Sequence, residues 1–303
     1  MKVLVVSGFL GAGKTTFIKE LVKRTSFAEL VILENEYGQV GLDGEALREQ
    51  KLDVWELAEG CICCSMKGNF AASVLTIANT LAPEFLIVEP SGVGLLSSIT
   101  ANLKKIAYSQ IQLLAPVALV DAPAWRGLMD EYGQYVTDQV QTAASILITK
   151  TDRAEGRDME SLKKWLAQLN PSAEVIDDYR AQPSSWWGGL LHRPLGQVEI
   201  PLPPAGVPAL ESVAFLGLEA DAIEKVMGWV ESLLSGQCGR VVRAKGVLTV
   251  QGQPTRFEVA GGTFSIETCE AAPEPRAVVI GTNLNRQNLE KIFAPAAVAV
   301  HDS

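Results

Sequence analysis

Gly8-Phe9-Leu10-Gly11-Ala12-Gly13-Lys14-Thr15 meets the spacing G-x-x-x-x-G-K-[ST] in full. Glycines at those positions let consecutive backbone N–H groups turn inward around phosphate oxygens. The lysine reaches the β- and γ-phosphates, and the hydroxyl of Thr15 is placed to ligate Mg²⁺. Downstream, Cys61-Ile62-Cys63-Cys64 gathers three of the chain's five cysteines within four residues. Two thiols at C-x-C spacing reach one ion, and thiolate sulfur suits zinc, copper(I) and, less commonly, cobalt or nickel. A phosphate loop alone says nucleotide, and a thiol cluster alone says soft metal or redox chemistry. Together they point to a nucleotide-driven protein that handles a metal.

Two further stretches belong to the nucleotide chemistry. Glu89-Pro90-Ser91-Gly92 closes an apolar run, where an acid would hold Mg²⁺ or its water and Gly92 would offer a backbone N–H to the γ-phosphate. Thr149-Lys150-Thr151-Asp152 is like the N-K-x-D element of GTPases, with Thr149 in the asparagine position. There Asp152 would accept from guanine N1–H and its exocyclic amine, a donor pair that adenine lacks, and the Lys150 stem would cover the ring. Each has a plainer reading: an acid capping a strand end, and a solvated Lys/Asp pair in a loop.

These residues need a scaffold that presents strand ends side by side. Residues 2–7 form a continuous apolar run, which suits a parallel strand buried on both faces. Similar runs at 30–33, 85–88, 116–120, 146–149 and 175–176 alternate with helical patterns at 15–23, 70–81, 132–144 and 159–169. That alternation predicts βαβ units and a mainly parallel sheet, an α/β fold of the P-loop NTPase kind. Lys104 and Lys105 read as an exposed helix face, and Trp186-Trp187 as packing rather than a binding surface.

Pro194, Pro201, Pro203, Pro204 and Pro208 then mark a stiff connector. The expected organisation is a nucleotide domain over 1–193, a linker over 194–211 and a smaller α+β domain over 212–303. In that second domain, strands are expected at 212–218, 241–250, 255–259 and 277–280, and helices at 221–234 and 286–293. A Gly252-Gln253-Pro254 turn is expected between the second and third of these strands.

Composition narrows the class. With 48% hydrophobic and 20% charged residues the chain has a globular profile, and no 18-residue apolar run predicts a membrane span. A formal charge of −9 argues against general nucleic-acid binding. Cys238 and Cys269 stand apart from the cluster, so there is no disulfide framework, and a reducing cytoplasm is the expected setting. Only His192 and His301 exist, neither near the thiols, so a fourth ligand would be water or a carboxylate such as Glu34, Glu36 or Glu59. A structural zinc usually needs a second ligand pair, so an incomplete site fits exchange better.

The phosphate loop with Thr16, Glu34-Asn35-Glu36-Tyr37-Gly38, Glu56-Leu57-Ala58-Glu59-Gly60-Cys61-Ile62-Cys63-Cys64 and Glu89-Pro90-Ser91-Gly92 closely resemble the CobW-like P-loop GTPases. The resemblance continues through Arg243-Ala244-Lys245-Gly246 and Val278-Val279-Ile280-Gly281-Thr282-Asn283-Leu284-Asn285, nearly the whole chain. It implies a GTPase domain followed by a CobW C-terminal domain, with GTP bound by Gly8, Gly11, Ala12, Gly13, Lys14, Thr15, Thr16, Gly92, Lys150 and Asp152. Lys14, Thr15 and Glu89 would serve hydrolysis, the last two through Mg²⁺. The implied cargo is Zn²⁺ or Co²⁺ on Cys61, Cys63, Cys64 and Glu34, delivered to a client metalloprotein or a cobalamin-related pathway protein, with a metal- or nucleotide-dependent dimer in view. Thr149 in place of Asn is tolerated in some relatives. Unlike many relatives, this chain has no histidine-rich stretch, and it carries Gln39 where some have a second acid. Competing readings are a GTP-responsive metal-binding regulator that does not hydrolyse, an ATP-dependent P-loop kinase and a thiol redox switch.

Overall fold

The structure, a computed structural model, describes residues 1–25, 27, 29–34, 53–56, 69–196, 200–204, 206–207, 210–260, 262–269, 275–294 and 297–299. The chain divides into two compact units, the first running to Val207.

In the first unit the apolar runs pair as the parallel strands that continuous burial requires. They are β1 (Lys2–Gly8), β2 (Leu30–Glu34), β3 (Asp53–Glu56), β4 (Phe85–Glu89), β5 (Gln112–Leu113), β6 (Val117–Asp121), β7 (Ser145–Thr149) and β8 (Glu174–Ile176). The sheet order is β3-β2-β4-β1-β6-β7-β8, with β5 paired to the start of β1. β1 lies centrally between β4 and β6, so its carboxyl end opens where such sheets bind ligands.

Helices connect the strands: α1 (Lys14–Arg24), α2 (Asn69–Thr80), α3 (Leu96–Ile106), α4 (Trp125–Thr142), α5 (Gly156–Leu169) and α6 (Ser184–Leu190). α1 buries Phe17, Ile18 and Leu21 against Leu4, Val6, Ile32 and Ile87. Each such side chain contributes about 1.5–3 kcal/mol when fully buried. Trp187 on α6 is fully buried and stacks on Phe17 at 5.6 Å, so the Trp186-Trp187 pair is core on that side. α3 buries Leu96, Ile99, Thr100 and Leu103 and leaves Lys104 and Lys105 exposed in its last turn.

Two expectations need correction here. The helix predicted over 132–144 begins at Trp125, because a second helical stretch joins it across a non-helical Tyr132 (φ −131°, ψ 26°). The connector predicted from residue 194 is still tied to the first unit at its start. Leu195 N–H donates to the Leu113 carbonyl at 2.9 Å, and Leu114 bridges Pro194. Irregular backbone at Pro201, Leu202, Pro203 and Pro204 follows, with Leu202 exposed.

The second unit is an antiparallel sheet with two helices on one face. Its strands are β9 (Glu211–Leu216), β10 (Arg240–Val250), β11 (Gln253–Ala260), β12 (Thr263–Thr268), β13 (Arg276–Thr282) and β14 (Ala297–Ala299), in the order β12-β11-β10-β13-β9-β14. α7 (Ile223–Leu234) and α8 (Arg286–Phe293) supply Trp229 and Phe293 to a core with Phe215 and Phe257. Gly246 is required here: it faces Phe257 across β10 and β11, and a methyl at 246 would lie 2.1 Å from that ring.

The β10–β11 turn is shifted from its predicted place. It is the pair Gln251-Gly252, both at positive φ (48° and 79°), while Gln253 and Pro254 are already in β11. Two consecutive residues at positive φ make the turn that follows the twist of a hairpin. Pro254 remains useful there as an acceptor, taking the Cys269 amide at 3.0 Å. The second quoted motif of this unit is also structural: β13 ends in a turn with Asn283 at φ 51°, and Asn285 caps α8 by accepting from Asn288 N–H at 3.1 Å. Cys238 is free and buried, and burial pushes its thiol pKa up.

Candidate functional site

The carboxyl ends of β1, β4, β6 and β7 converge on the phosphate loop. β1 delivers Gly8, and Gly11 and Gly13 take positive φ (78° and 93°), turning the backbone into α1. α1 begins without a side-chain cap, so its first amides and the positive end of its dipole are offered to an anion. Ala12 N–H closes the loop onto the Phe9 carbonyl at 3.1 Å. Lys14 is buried, and its ammonium donates to the Gly8 carbonyl at 3.2 Å, which holds the charge inside the curve of the loop. Thr16, two residues on, sits exposed in the first turn of α1.

The structure brings Thr15 and Glu89 together. The Thr15 hydroxyl donates to the Glu89 carboxylate, 2.9 Å from Oε1 and 3.2 Å from Oε2. A hydroxyl and a carboxylate side by side are hard oxygen donors of the kind Mg²⁺ takes. Glu89 ends β4, and in register beside it lies Glu34 of β2, itself in register with Glu56 of β3. Three acids therefore occupy equivalent backbone positions at one sheet edge.

Gly92, three residues past Glu89, lies against the phosphate loop so closely that a methyl there would be 2.4 Å from Leu10 N and 2.8 Å from Phe9 C. Its loop is held from behind by Asp138 and Gln139 of α4, two residues that sequence reading did not place at the site. Gln139 Nε2 donates to the Gly92 carbonyl at 3.2 Å and to the Gly94 carbonyl at 3.1 Å. Asp138 accepts from Ser97 N–H at 3.1 Å and from the Ser97 hydroxyl. Burial pushes the Asp138 carboxyl pKa up, and the Ser97 hydrogen bonds oppose that rise. Both residues are buried and polar within a helix, and such a pair leaves no periodic trace to be read.

At the β7 end, Thr149 Oγ1 is 2.9 Å from the Ala12 carbonyl and 3.2 Å from the Val120 carbonyl, tying the end of β7 to the phosphate loop. Lys150 adopts φ 54°, and its ammonium pairs with Asp121 at 2.5 Å. Asp121 was not among the expected site residues, although an acid ending the 116–120 apolar run was the available signal. Asp152 projects from a short 3₁₀ turn, its side chain 81% exposed and 3.9 Å from Arg153 Nε. An exposed pair of that length is worth little, so the carboxylate stays available to a ligand.

Cys61, Cys63 and Cys64, with Glu36, Gln39, Glu59 and His301, lie outside the described residues. Among the described residues no three His, Cys, Asp or Glu side chains come together to hold a metal ion, and no helix is long and apolar enough to cross a membrane.

Comparison with known proteins matches the two units to two family models. Residues 2–177 match the CobW/HypB/UreG, nucleotide-binding domain, and residues 212–297 match the Cobalamin synthesis protein cobW C-terminal domain. The chain is similar to the zinc chaperone YeiR of Escherichia coli, 28% identical over 299 residues and 89% of each chain. It is also similar to the zinc chaperone YjiA of Escherichia coli, 26% identical over 315 residues, 96% of this chain and 97% of that one. Among solved structures, the Zn(II)-bound YjiA GTPase from E. coli aligns over 98% of this chain and 99% of that chain, with 21% identity and a TM-score of 0.48.

Proposed function

The chain belongs to the CobW/HypB/UreG nucleotide-binding family, and from that premise we propose that it is a GTP-hydrolysing zinc chaperone, using the nucleotide to control its hold on one metal ion. The observation that carries this reading is the sheet edge at the carboxyl ends of β2 and β4. Glu89, bonded to Thr15 of the phosphate loop, is in backbone register with Glu34, the carboxylate expected to complete the thiolate site. The carboxylates expected to serve the nucleotide and the cargo thus occupy neighbouring backbone positions on adjacent strands, which supports a coupling of the two.

In this reading Lys14, held inside the loop by Gly8, neutralises the phosphates, and the loop amides and α1 dipole bind them. Thr15 and Glu89 would hold Mg²⁺, which supplies charge neutralisation at the phosphates when bound. Asp152 reads guanine, Lys150 is aimed by Asp121, and Thr149 keeps this strand end at a fixed distance from the phosphate loop. Cys61, Cys63 and Cys64 with Glu34 carry the cargo. Zinc is favoured over cobalt because the similar chains YeiR and YjiA are zinc chaperones. The client is a metal-requiring protein.

Base selection provides the test. Asp152→Ala should weaken GTP binding about 10- to 100-fold, the value of hydrogen bonds to a charged acceptor, and leave ATP binding unchanged. Titration of both nucleotides into both proteins reads the result. A wild-type preference for ATP, with no effect of the substitution, would establish the kinase reading instead.

A further inference from the structure

We propose that Gln139 is a positioning residue for recognition of the γ-phosphate. The inference rests on the GTP reading above. Gln139 lies in the interior of α4 and is 2% exposed. Its amide nitrogen has two hydrogens, and the geometry gives each a backbone carbonyl, Gly92 O and Gly94 O. The same stretch is folded on itself, since Gly94 N–H donates to the Ser91 carbonyl at 2.9 Å. The preceding residue of α4, Asp138, grips the far end of the segment through Ser97. Consecutive residues of one helix therefore hold both ends of the path from 92 to 97.

The other side of this segment is the phosphate loop. Gly92 packs on the backbone of Phe9 and Leu10 with no room for a side chain. α4 also reaches the phosphate loop directly, through Tyr132 stacked on Phe9 at 5.0 Å and Tyr135 at 6.5 Å. Gly92 is thus held between two elements that also touch each other. The Gly92 amide, the donor expected to meet the γ-phosphate, shares a peptide plane with the Ser91 carbonyl, which Gly94 N–H holds, and Gln139 anchors that turn through the Gly92 and Gly94 carbonyls.

This geometry separates two ligands. GDP engages the phosphate loop and the Asp152 end of the site, whereas the γ-phosphate alone depends on the segment after β4. Gln139→Met keeps the shape of the side chain and removes both donors. The GDP dissociation constant should stay within about twofold of wild type, while that of a non-hydrolysable GTP analogue rises about tenfold and single-turnover hydrolysis slows by about 10- to 100-fold. Gln139→Asn, whose amide is drawn back by one methylene, should show the same split to a smaller degree, and it serves if the methionine variant does not fold.

An equal loss of GDP and analogue affinity would show a merely structural role and overturn the proposal, as would no change in either. These failures are distinct from failure of the GTP reading, in which the wild-type protein itself would not bind the analogue.

Discussion

Replacing Gly92 with alanine is expected to lower affinity for both GDP and GTP by about 10- to 100-fold. The added methyl would lie 2.4 Å from Leu10 N, 2.7 Å from Leu10 Cα and 2.8 Å from Phe9 C. All three atoms are backbone, so no side-chain rotation relieves the contact. Either the segment after β4 withdraws, against the hydrogen bonds from Gln139, or the phosphate loop moves. Overpacking of this kind costs about 1–3 kcal/mol. In the proposed function it falls on amides that must be aimed at phosphate, so binding should suffer as well as stability. Calorimetric titration with GDP checks the first effect, and a melting temperature lowered by several degrees checks the second. GDP affinity within threefold of wild type would show that the loop does not need the close approach at 92. The contrast with Gln139→Met is informative, because that change should spare GDP.

Thr15→Ala is expected to reduce GTP turnover at saturating Mg²⁺ by about 10²- to 10³-fold, the scale of losing one preorganised electrostatic contact. Stability should hardly change. Thr15 is half-buried in the first turn of α1, and alanine is the better helix former. What disappears is the hydroxyl that meets Glu89 at 2.9 Å, one of two hard oxygen donors at the site. Nucleotide affinity without Mg²⁺ should be preserved, since the loop amides and Lys14 are untouched. Thr15→Ser, which restores the hydroxyl, should recover most of the activity. Unchanged turnover in the alanine variant would remove Thr15 from the hydrolytic machinery.

Much of the scaffold could be read from residue order because burial on both faces leaves continuous apolar runs. The strands ending at Gly8, Glu89 and Thr149 are of that kind. The phosphate loop was readable because its glycines and Lys14 are demanded by backbone geometry and charge. Edge elements were harder. β12 has Phe264 and Ile266 among polar residues, with Phe264 47% exposed, too weak an alternation to announce a strand. The β10–β11 turn was displaced by Pro254, which looks like punctuation yet sits inside a strand. Asp121, Asp138 and Gln139 escaped because their roles are tertiary. Each takes its meaning from a partner at least 29 residues away. Thr149, in the asparagine position of the motif, holds the Ala12 carbonyl by its hydroxyl.

The central claim is that nucleotide state sets the hold on the metal. Zinc affinity should therefore be measured by chelator competition in the nucleotide-free, GDP-bound and GTP-analogue-bound protein. The account predicts dissociation constants that differ by about tenfold or more between the GDP and analogue states, within the usual range of coupling between two sites. Equal zinc affinity in all three states would contradict it, because a nucleotide that does not discriminate between metal-holding states cannot drive transfer.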